Sequence, residues 1–293
     1  MQTLHLGLVT DIHAGVGRSN IKSEQAISLL DSVVSEATAR SVDLLAVLGD
    51  SVNATDPEHD RHWLGMVKQS LDRCSAPAVP LFGNNELKFL SPRDVANVLG
   101  CAADTEVRRV NGWSLVFWRP SCTLSFDEGL RLDESDLASL DAALASAEYP
   151  AVICLHAPID EHSMVGNYYF ANRRELAGYE NAQAARDIIE ASGKVVLVLA
   201  GHVHWNAGTT IDGVHYRTLA SLSDTFDATA VDAAGTWAIV ELGEDGWISL
   251  EVFGREPMRW SAPMRQQETH WRRPLSGDGF HARMKALWEG RDA

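Results

Sequence analysis

The segment that most constrains the fold of this chain is residues 43–50, which read Asp-Leu-Leu-Ala-Val-Leu-Gly-Asp. Its apolar part is an uninterrupted run of strand length, and a run without alternation is typical of a strand buried on both faces of a parallel sheet. Gly49 then provides a turn that ends the strand. Asp50 is therefore expected at the carboxyl end of a sheet, where open α/β proteins place their functional groups.

Strand-like and helix-like patterns alternate along the rest of the chain. Residues 26–37 have apolar side chains at helical spacing between two short apolar strands, which predicts a right-handed βαβ unit. Asn111 and Gly112 predict the turn of a hairpin, and the short strands after residue 209 predict an antiparallel meander. The predicted strands are residues 4–10, 44–48, 78–82, 106–110, 113–118, 151–155, 195–200, 209–211, 214–219, 236–242 and 247–253; the further predicted helices are residues 56–74, 92–99, 133–147, 181–192 and 281–288.

The pattern predicts one α/β domain over residues 1–253 and a tail over residues 254–293. The tail differs in composition because it contains several arginines together with Trp260, Trp271 and Trp288. We expect it to pack on the domain or to make contacts in a homo-oligomer.

Composition argues against two classes of function. No apolar run reaches the about 20 residues of a membrane-spanning helix, and the N-terminus lacks the pattern of a signal peptide, so a cytoplasmic protein is expected. The formal net charge of −15 argues against a nucleic-acid polymer as partner, because phosphate backbones would be repelled. A small phosphorylated substrate remains compatible with this charge.

Polar side chains that can bind metals follow five of the predicted strands. Imidazole, carboxylate and amide donors together favour Mn, Fe or Zn over Ca or Mg. A pair of metal ions needs about seven protein ligands when one carboxylate is shared, and Asp50 is the candidate for the shared position. Each residue alone also has an ordinary explanation, as a turn or a core histidine. The predicted ligands are Asp11, His13, Asp50, Asn84, His156, His202 and His204.

Two divalent transition metals roughly 3.5–4 Å apart generate a hydroxide nucleophile at neutral pH and stabilise an in-line displacement. Hydrolysis of phosphate esters is among the slowest uncatalysed reactions and needs such help most. The residues therefore favour a phosphoester hydrolase whose nucleophile is a metal-bridging hydroxide.

The ordered set of motifs resembles the calcineurin-like metallophosphoesterase superfamily. The motifs are Asp11-x-His13, Gly49-Asp50, Gly83-Asn84-x-Glu86, His156 and Gly201-His202-x-His204, and the resemblance spans residues 4–253. It implies a four-layer α/β/β/α sandwich of two mixed sheets. It also implies one metal held by Asp11, His13 and His204, a second held by Asn84, His156 and His202, and Asp50 bridging them.

One position departs from the superfamily pattern, because Asn85 stands where a phosphate-contacting histidine is usual. Asparagine donates a hydrogen bond but cannot deliver a proton near pH 7. Losing a general acid typically costs ~10²–10⁴-fold, and more for a poor leaving group. Three explanations stay open: the substrate has a stable leaving group, another residue such as His162 or His59 is the acid, or catalysis has been lost.

The predicted catalytic residues are Asp50, Asn84, Asn85 and His202, and Asn85 is also predicted to bind substrate. Residues 157–178 form a long predicted loop in which Arg173, Arg174 and His162 are candidates for binding substrate, and the two arginines are equally explained as solvated loop residues. The aromatic run Tyr168, Tyr169 and Phe170 could stack on a ring or pack as core or lid.

Our leading hypothesis is hydrolysis of a phosphodiester or an activated phosphomonoester. The alternatives are a metal-binding scaffold protein of the same fold with weak catalysis, and a hydrolase of a phosphonate or phosphotriester.

Overall fold

A computed structural model describes residues 1–18, 20–267 and 278–290, which form twelve strands and six α-helices. The strands are β1 (Leu4–Val9), β2 (Leu44–Val47), β3 (Ala78–Pro80), β4 (Glu106–Val110), β5 (Trp113–Phe117), β6 (Ala151–Cys154), β7 (Val195–Ala200), β8 (Ala207–Ile211), β9 (Val214–Thr218), β10 (Trp237–Leu242), β11 (Trp247–Phe253) and β12 (Met258–Pro263). The helices are α1 (Ala26–Ala39), α2 (Pro57–Leu71), α3 (Pro92–Leu99), α4 (Glu134–Ser146), α5 (Ala182–Ser192) and α6 (Asp278–Trp288).

The first sheet has six strands in the order β12-β11-β10-β1-β2-β3. Strands β1, β2 and β3 are parallel, with Leu6 opposite Leu44 and Leu45 opposite Ala78. Every residue of β2 is buried, as its unbroken apolar run predicted. The carboxyl ends of these three strands therefore lie side by side, at one edge of the sheet.

The second sheet has six strands in the order β4-β5-β6-β7-β9-β8. Strands β5, β6, β7 and β9 are parallel, and the two edge strands are antiparallel to their neighbours. The predicted meander over residues 209–253 is wrong in its pairing, because β8 and β9 belong to this sheet and β10 and β11 to the first. The spacing of apolar residues identifies strands, but it carries no information about which sheet a strand joins.

The two sheets pack face to face, and helices cover both outer faces. Side chains such as Leu6, Trp113 and Leu197 fill the space between the sheets. Helices α1, α2 and α3 pack on the first sheet through residues such as Leu30 and Leu64, and α4 and α5 pack on the second. These layers confirm the predicted four-layer α/β/β/α sandwich of two mixed sheets.

The first sheet continues into the predicted tail. Strand β12 pairs with β11, with Trp260 opposite Leu250, and the side chain of Trp260 packs against the core. This strand was not predicted from the sequence. The predicted helix 281–288 falls within α6, and Trp271 lies outside the described residues. Across the described ranges, no helix is both long and apolar enough to cross a membrane.

Candidate metal centre

Five of the predicted ligands have left-handed backbone conformations, which are uncommon for residues other than glycine. Each such residue costs of order 1–3 kcal/mol, and this strain is concentrated at functional sites. Main-chain hydrogen bonds hold the turns in place: the N–H of Asp11 donates to the carbonyl of Gly49 (3.0 Å) and that of His13 to the carbonyl of Asp50 (2.9 Å). The φ angles are 50° at Asp11, 48° at His13, 50° at Asp50, 68° at His202 and 57° at His204.

Asp11, His13 and His204 form the first group of donors, and all three are buried. Nε2 of His13 lies 3.0 Å from Nε2 of His204. Oδ1 of Asp11 lies 3.3 Å from Nε2 of His204 and 3.8 Å from Nε2 of His13. The other oxygen, Oδ2, accepts hydrogen bonds from Oγ1 of Thr10 (2.7 Å) and from the main-chain N–H of His202 (2.9 Å). Asp11 is thus oriented with Oδ1 toward the two imidazoles.

Asp50, His156 and His202 form the second group, again buried. Nε2 of His156 lies 3.5 Å from Oδ1 of Asp50 and 3.2 Å from Oδ1 of Asn84. The rings of His156 and His202 are 5.1 Å apart. The predicted second ligand set thus lies around one point, at the carboxyl ends of β2, β3, β6 and β7.

Asp50 lies between the two groups. Its Oδ1 is near His156 of the second group, and its Oδ2 is 3.9 Å from Nε2 of His13 in the first group. One carboxylate therefore presents one oxygen to each donor set, which is the geometry that a bridging ligand requires. The assignment of all seven residues as ligands stays a prediction.

The donors fit divalent transition metals. Ligand bonds of about 2.1 Å place neighbouring donor atoms roughly 3.0–3.4 Å apart around one cation, and the closest pairs here are separated by 3.0, 3.2 and 3.3 Å. Oδ1 of Asp11 is buried without a hydrogen-bond partner within the described part of the chain. A buried, unpartnered carboxylate oxygen is costly unless a cation neutralises it. Asp11, His13 and His204 would hold one metal, and Asp50 with Asn84, His156 and His202 the other.

Glycines make room for this packing at two of the turns. A Cβ on Gly49, which has a φ of 99°, would lie 2.6 Å from Nδ1 of His156, and a Cβ on Gly83 would lie 2.6 Å from the main-chain nitrogen of Asp50. Both distances are too short for a real Cβ contact. The Gly-Asp and Gly-Asn pairs of the sequence are therefore needed for the strand ends to approach each other.

Hydrogen bonds from the far side of each ring fix three of the histidines. Nδ1 of His204 bonds Oδ2 of Asp224 (2.6 Å), and Nδ1 of His156 bonds the carbonyl of Leu48 (2.8 Å). Nε2 of His202 bonds the carbonyl of Leu176 (2.8 Å). Each bond selects a tautomer and leaves the other ring nitrogen free to bind a cation, as in most metal-ligating histidines.

Electrostatics differ between the two groups. Burial lowers the pKa of His204, but the carboxylates of Asp11 and Asp224 outweigh it and raise the pKa to about 10. Burial and the neighbouring His156 lower the pKa of His202 to about 4. Burial opposes ionisation of Asp11, yet the surrounding histidines hold its pKa well below the usual range. The site therefore contains ionised carboxylates beside a neutral His202 and a His204 that has to give up its proton to bind a cation, because imidazoles bind metals in their neutral form.

Glu86 connects two of the turns. Its buried carboxylate accepts hydrogen bonds from the main-chain N–H groups of Ser51 and of Gly83, the latter at 2.9 Å. Burial and the charge of Asp50 raise the pKa of Glu86 to about 7. Glu86 thus holds the turn after β3 against the turn after β2, and positions Asp50 and Asn84 relative to each other.

Asn85 contacts the shared carboxylate. Its main-chain N–H donates to Oδ1 of Asp50 (2.8 Å), and its side-chain amide donates to Oδ2 (2.5 Å). The residue is half-buried beside the two donor groups. Asn85 thus orients Asp50, and its role in binding substrate stays a prediction.

The three other predicted substrate-binding residues have protein partners. Nδ1 of His162 bonds Asp160 (2.8 Å), while its Nε2 accepts from Nε1 of Trp205 (3.3 Å). The exposed Arg173 pairs with Glu175 (2.5 Å). The exposed Arg174 donates to the carbonyl of Glu161 (3.2 Å), and a cavity of 350 Å³ lies beside it and His162. The role of these three residues in binding substrate stays a prediction.

Asp224, which supports a predicted ligand from a loop, was not predicted from the sequence. Asp224 follows β9 in a loop without apolar period, and nothing in its local sequence distinguishes it from other turn carboxylates. Tyr169 donates to Oδ2 of Asp224 (2.7 Å), and its ring lies 5.1 Å from that of His204. The ring of Phe170 lies 5.1 Å from that of His202. Part of the aromatic run in the long loop therefore packs on the metal centre.

The fold and the site together define an α/β/β/α sandwich that carries two adjacent metal-binding residue groups. The family model for calcineurin-like phosphoesterases matches residues 4–206, so the chain belongs to this family. The resemblance predicted from the motifs is confirmed. A search of curated proteins finds no match.

Solved structures share the fold at low sequence identity. A dimetal phosphatase from Danio rerio superimposes with a TM-score of 0.71 at 17% identity, covering 89% of this chain and 99% of that one. Purple acid phosphatase PPD1 from yellow lupin gives 0.62 at 10% identity, covering 89% of this chain and 54% of that one. GAP50, the anchor in the inner membrane complex of Plasmodium, gives 0.61 at 11% identity, covering 92% and 91%. At these identities the likeness shows the fold alone.

Proposed function

We propose that this protein is a dinuclear-metal-dependent hydrolase of phosphodiesters or activated phosphomonoesters. The observation that carries the proposal is the position of Asp50, whose two oxygens face two separate groups of buried donors. Membership of a phosphoesterase family supports the same reaction class. When bound, a pair of Mn, Fe or Zn ions supplies Lewis acidity and a water activated at neutral pH.

The protein's own residues orient the reacting groups. Asp50 links the two donor sets, because one of its oxygens faces each set. Asn84 belongs to the second set through its side-chain oxygen. The side-chain amide of Asn85 donates one hydrogen to Oδ2 of Asp50, and its second hydrogen would donate to a phosphoryl oxygen. His202, whose pKa is lowered, stays neutral at pH 7 and keeps one ring nitrogen available.

The substrate class follows from Asn85. Because asparagine cannot donate a proton to a leaving oxygen, a substrate whose leaving group is stable as an anion is favoured. Aryl esters and phosphodiesters with good leaving groups meet this requirement better than simple alkyl monoesters do. The net charge of −15 favours a small substrate over a nucleic-acid polymer.

The test measures metal content and hydrolysis on the same sample, purified without chelator. We expect close to two transition-metal ions per chain, and hydrolysis of a bis-aryl phosphodiester and an aryl phosphomonoester after supplementation with Mn²⁺. Asp50→Ala should abolish hydrolysis and lower metal content. Asp72→Ala, at an exposed carboxylate paired with Lys68, is the matched control and should retain both.

The result that contradicts the proposal is the absence of both metal and hydrolysis in the unmodified protein. Metal without hydrolysis of any phosphoester would favour the scaffold alternative, which the fold permits because the structurally similar GAP50 is described as an anchor. Turnover of a phosphonate or a phosphotriester, but not of the diester, would show that the protein is a hydrolase of those compounds instead.

A further inference from the structure

An aromatic cluster extends outward from the first donor group. Tyr169 lies against His204, with 5.1 Å between ring centroids. The ring of Phe226 is 5.9 Å from that of Tyr169, and the ring of Tyr168 is 5.0 Å from Tyr169 and 6.1 Å from Phe226. The cluster of Tyr168, Tyr169 and Phe226 thus joins the loop after β6 to the loop after β9 at the edge of the metal centre.

Tyr169 anchors this cluster rigidly. Its hydroxyl donates to Oδ2 of Asp224 (2.7 Å) and accepts from the side-chain amide of Asn20 (2.7 Å). Asp224 in turn bonds His204 at 2.6 Å. The base of the cluster is therefore fixed to a predicted metal ligand through two hydrogen bonds and cannot move without disturbing it.

The outer rings are open to solvent. Tyr168 is 64% exposed and Phe226 is 36% exposed. Single exposed aromatic residues are ordinary, but adjacent ones that meet at a polar site are typical of surfaces that bind a ligand. The interplanar angle of 35° between Tyr168 and Phe226, at a centroid distance of 6.1 Å, leaves no gap wide enough for a third ring. The two rings therefore present a platform and not a clamp.

A cavity of 230 Å³ adjoins this platform. Its lining includes His204, Asp224, Phe226 and the guanidinium-bearing Arg255. The lining thus combines a predicted metal ligand with an aromatic face, the cation of Arg255 and the carboxylates of Asp224, Asp227 and Glu256. Arg255 faces Asp227 at 3.7 Å and is half-exposed, so it is available to a ligand at modest cost.

We propose that Tyr168 and Phe226 form a subsite for a planar aromatic ring carried by the substrate, next to the metal centre. This inference rests on the proposed function and names its substrate class: phosphate esters that bear an aryl group or a nucleobase. Stacking on an aromatic side chain accepts any planar π-system, because every such ring has a face to offer.

The experiment compares two ligands, one with a planar aromatic ring and one with a saturated ring of the same carbon number. Benzylphosphonate and cyclohexylmethylphosphonate have the same anionic head and similar size, and neither contains a hydrolysable ester. Binding to protein loaded with Mn²⁺ is measured by calorimetry, with inorganic phosphate as the reference. We expect benzylphosphonate to bind about 5-fold or more tightly than its saturated counterpart, the range that stacking on one side chain gives. Adenosine 5′-monophosphate, added as a competitor, separates a nucleobase from a simple aryl group by its relative affinity.

Variants assign the effect to the platform. Tyr168→Leu and Phe226→Leu should reduce the preference for benzylphosphonate several-fold and leave binding of inorganic phosphate unchanged. Phe126→Leu, at a 70% exposed phenylalanine outside the cluster, is the matched control and should keep the preference.

Different results would contradict the proposed function and the aromatic subsite. If neither phosphate nor either phosphonate binds to metal-loaded protein, the proposed function fails. If phosphate binds but the two phosphonates bind equally, or if the preference survives in both platform variants, the aromatic subsite is wrong while the proposed function stands.

Discussion

The side-chain amide of Asn85 lies 2.5 Å from Oδ2 of Asp50, and its main-chain N–H lies 2.8 Å from Oδ1 of the same carboxylate. Asn85 thus holds the carboxylate that faces both donor groups. Both oxygens of Asp50 are restrained, so the spacing of the two predicted metal sites depends on this contact. Asn85 orients Asp50, although its amide cannot supply a proton near pH 7.

Restoring a proton donor at this position gives the first prediction. Asn85→His should raise kcat/KM for an alkyl phosphodiester by about 10-fold or more, because general-acid catalysis contributes ~10²–10⁴-fold for poor leaving groups. The gain for an aryl ester should be much smaller, since its leaving group needs no proton. Steady-state kinetics on a leaving-group series measures both.

Asn85→Ala is the control for this substitution. It removes the hydrogen bond to Asp50 without adding a donor, so the rates for aryl and alkyl esters should both fall. Equal gains for both esters in Asn85→His would show that the missing proton donor does not limit alkyl ester hydrolysis.

The bond between Asp224 and His204 gives the second prediction. Asp224→Asn should weaken metal binding at the first donor group about 10–100-fold, because outer partners of ligating histidines set their tautomer and basicity. Calorimetric titration of Mn²⁺ or Zn²⁺ into metal-free protein should show one of the two sites weakened. Asp227→Asn, at an exposed carboxylate of the same loop that bonds Thr229 and Arg255, should leave both sites intact. Unchanged affinity in Asp224→Asn would remove this residue from the metal centre.

Much of the fold was predictable because local pattern determines where strands form. The runs at 106–110, 195–200 and 247–253 match β4, β7 and β11 at both ends. The predicted ligands could also be placed together, because the carboxyl ends of parallel strands share one edge. The prediction failed for the pairing of strands that are distant in the sequence. β9 pairs with β7 in the second sheet, whereas β10 pairs with β1 in the first.

The loops limited the prediction of the site in the same way. Asp224 reaches His204 only because the segment after β9 crosses back to the first sheet, where the N–H of Leu222 donates to the carbonyl of Thr10 (3.1 Å). Tyr169 arrives from another loop and Asn20 from a third. Such convergence leaves no periodic signal in any one segment, so single-sequence reasoning cannot find it.

The buried pair Asp160 and His162 gives the third prediction, which concerns stability. Asp160 bonds Nδ1 of His162 (2.8 Å) and accepts from Oγ1 of Thr209 (2.8 Å), so it joins the long loop to β8. Asp160→Asn should lower the free energy of unfolding at pH 7 by about 1.5–3 kcal/mol, the typical contribution of hydrogen bonds to a charged group. Urea denaturation measures the loss.

The pH dependence of this loss has a definite sign. Burial raises the pKa of Asp160, but the hydrogen bond and charge of His162 outweigh it, so the pKa in the folded protein is below its ordinary value of 3.8. Its contribution to stability is therefore present above pH 3.8 and is lost as the pH falls through the lower, folded value. The difference between the two proteins should shrink below pH 3.8. A difference that stays constant down to that range would show that the Asp160 charge is not what stabilises the loop.

Removal of metal gives the fourth prediction. Without a cation, Oδ1 of Asp11 is buried and unpartnered within the described chain, and two imidazole nitrogens, of His13 and His204, face each other at 3.0 Å. A ligand that binds only the folded state stabilises it by about 2.7 kcal/mol at 100 times its dissociation constant. Mn²⁺ or Zn²⁺ added to chelator-treated protein should therefore raise Tm by several degrees in differential scanning calorimetry.

Ca²⁺ at the same concentration should raise Tm far less, because it prefers oxygen ligands over imidazole. Asp50→Asn should reduce the shift given by Mn²⁺. Equal shifts with Ca²⁺ and Mn²⁺, or an undiminished shift in Asp50→Asn, would contradict a site that binds transition metals through imidazoles and a shared carboxylate.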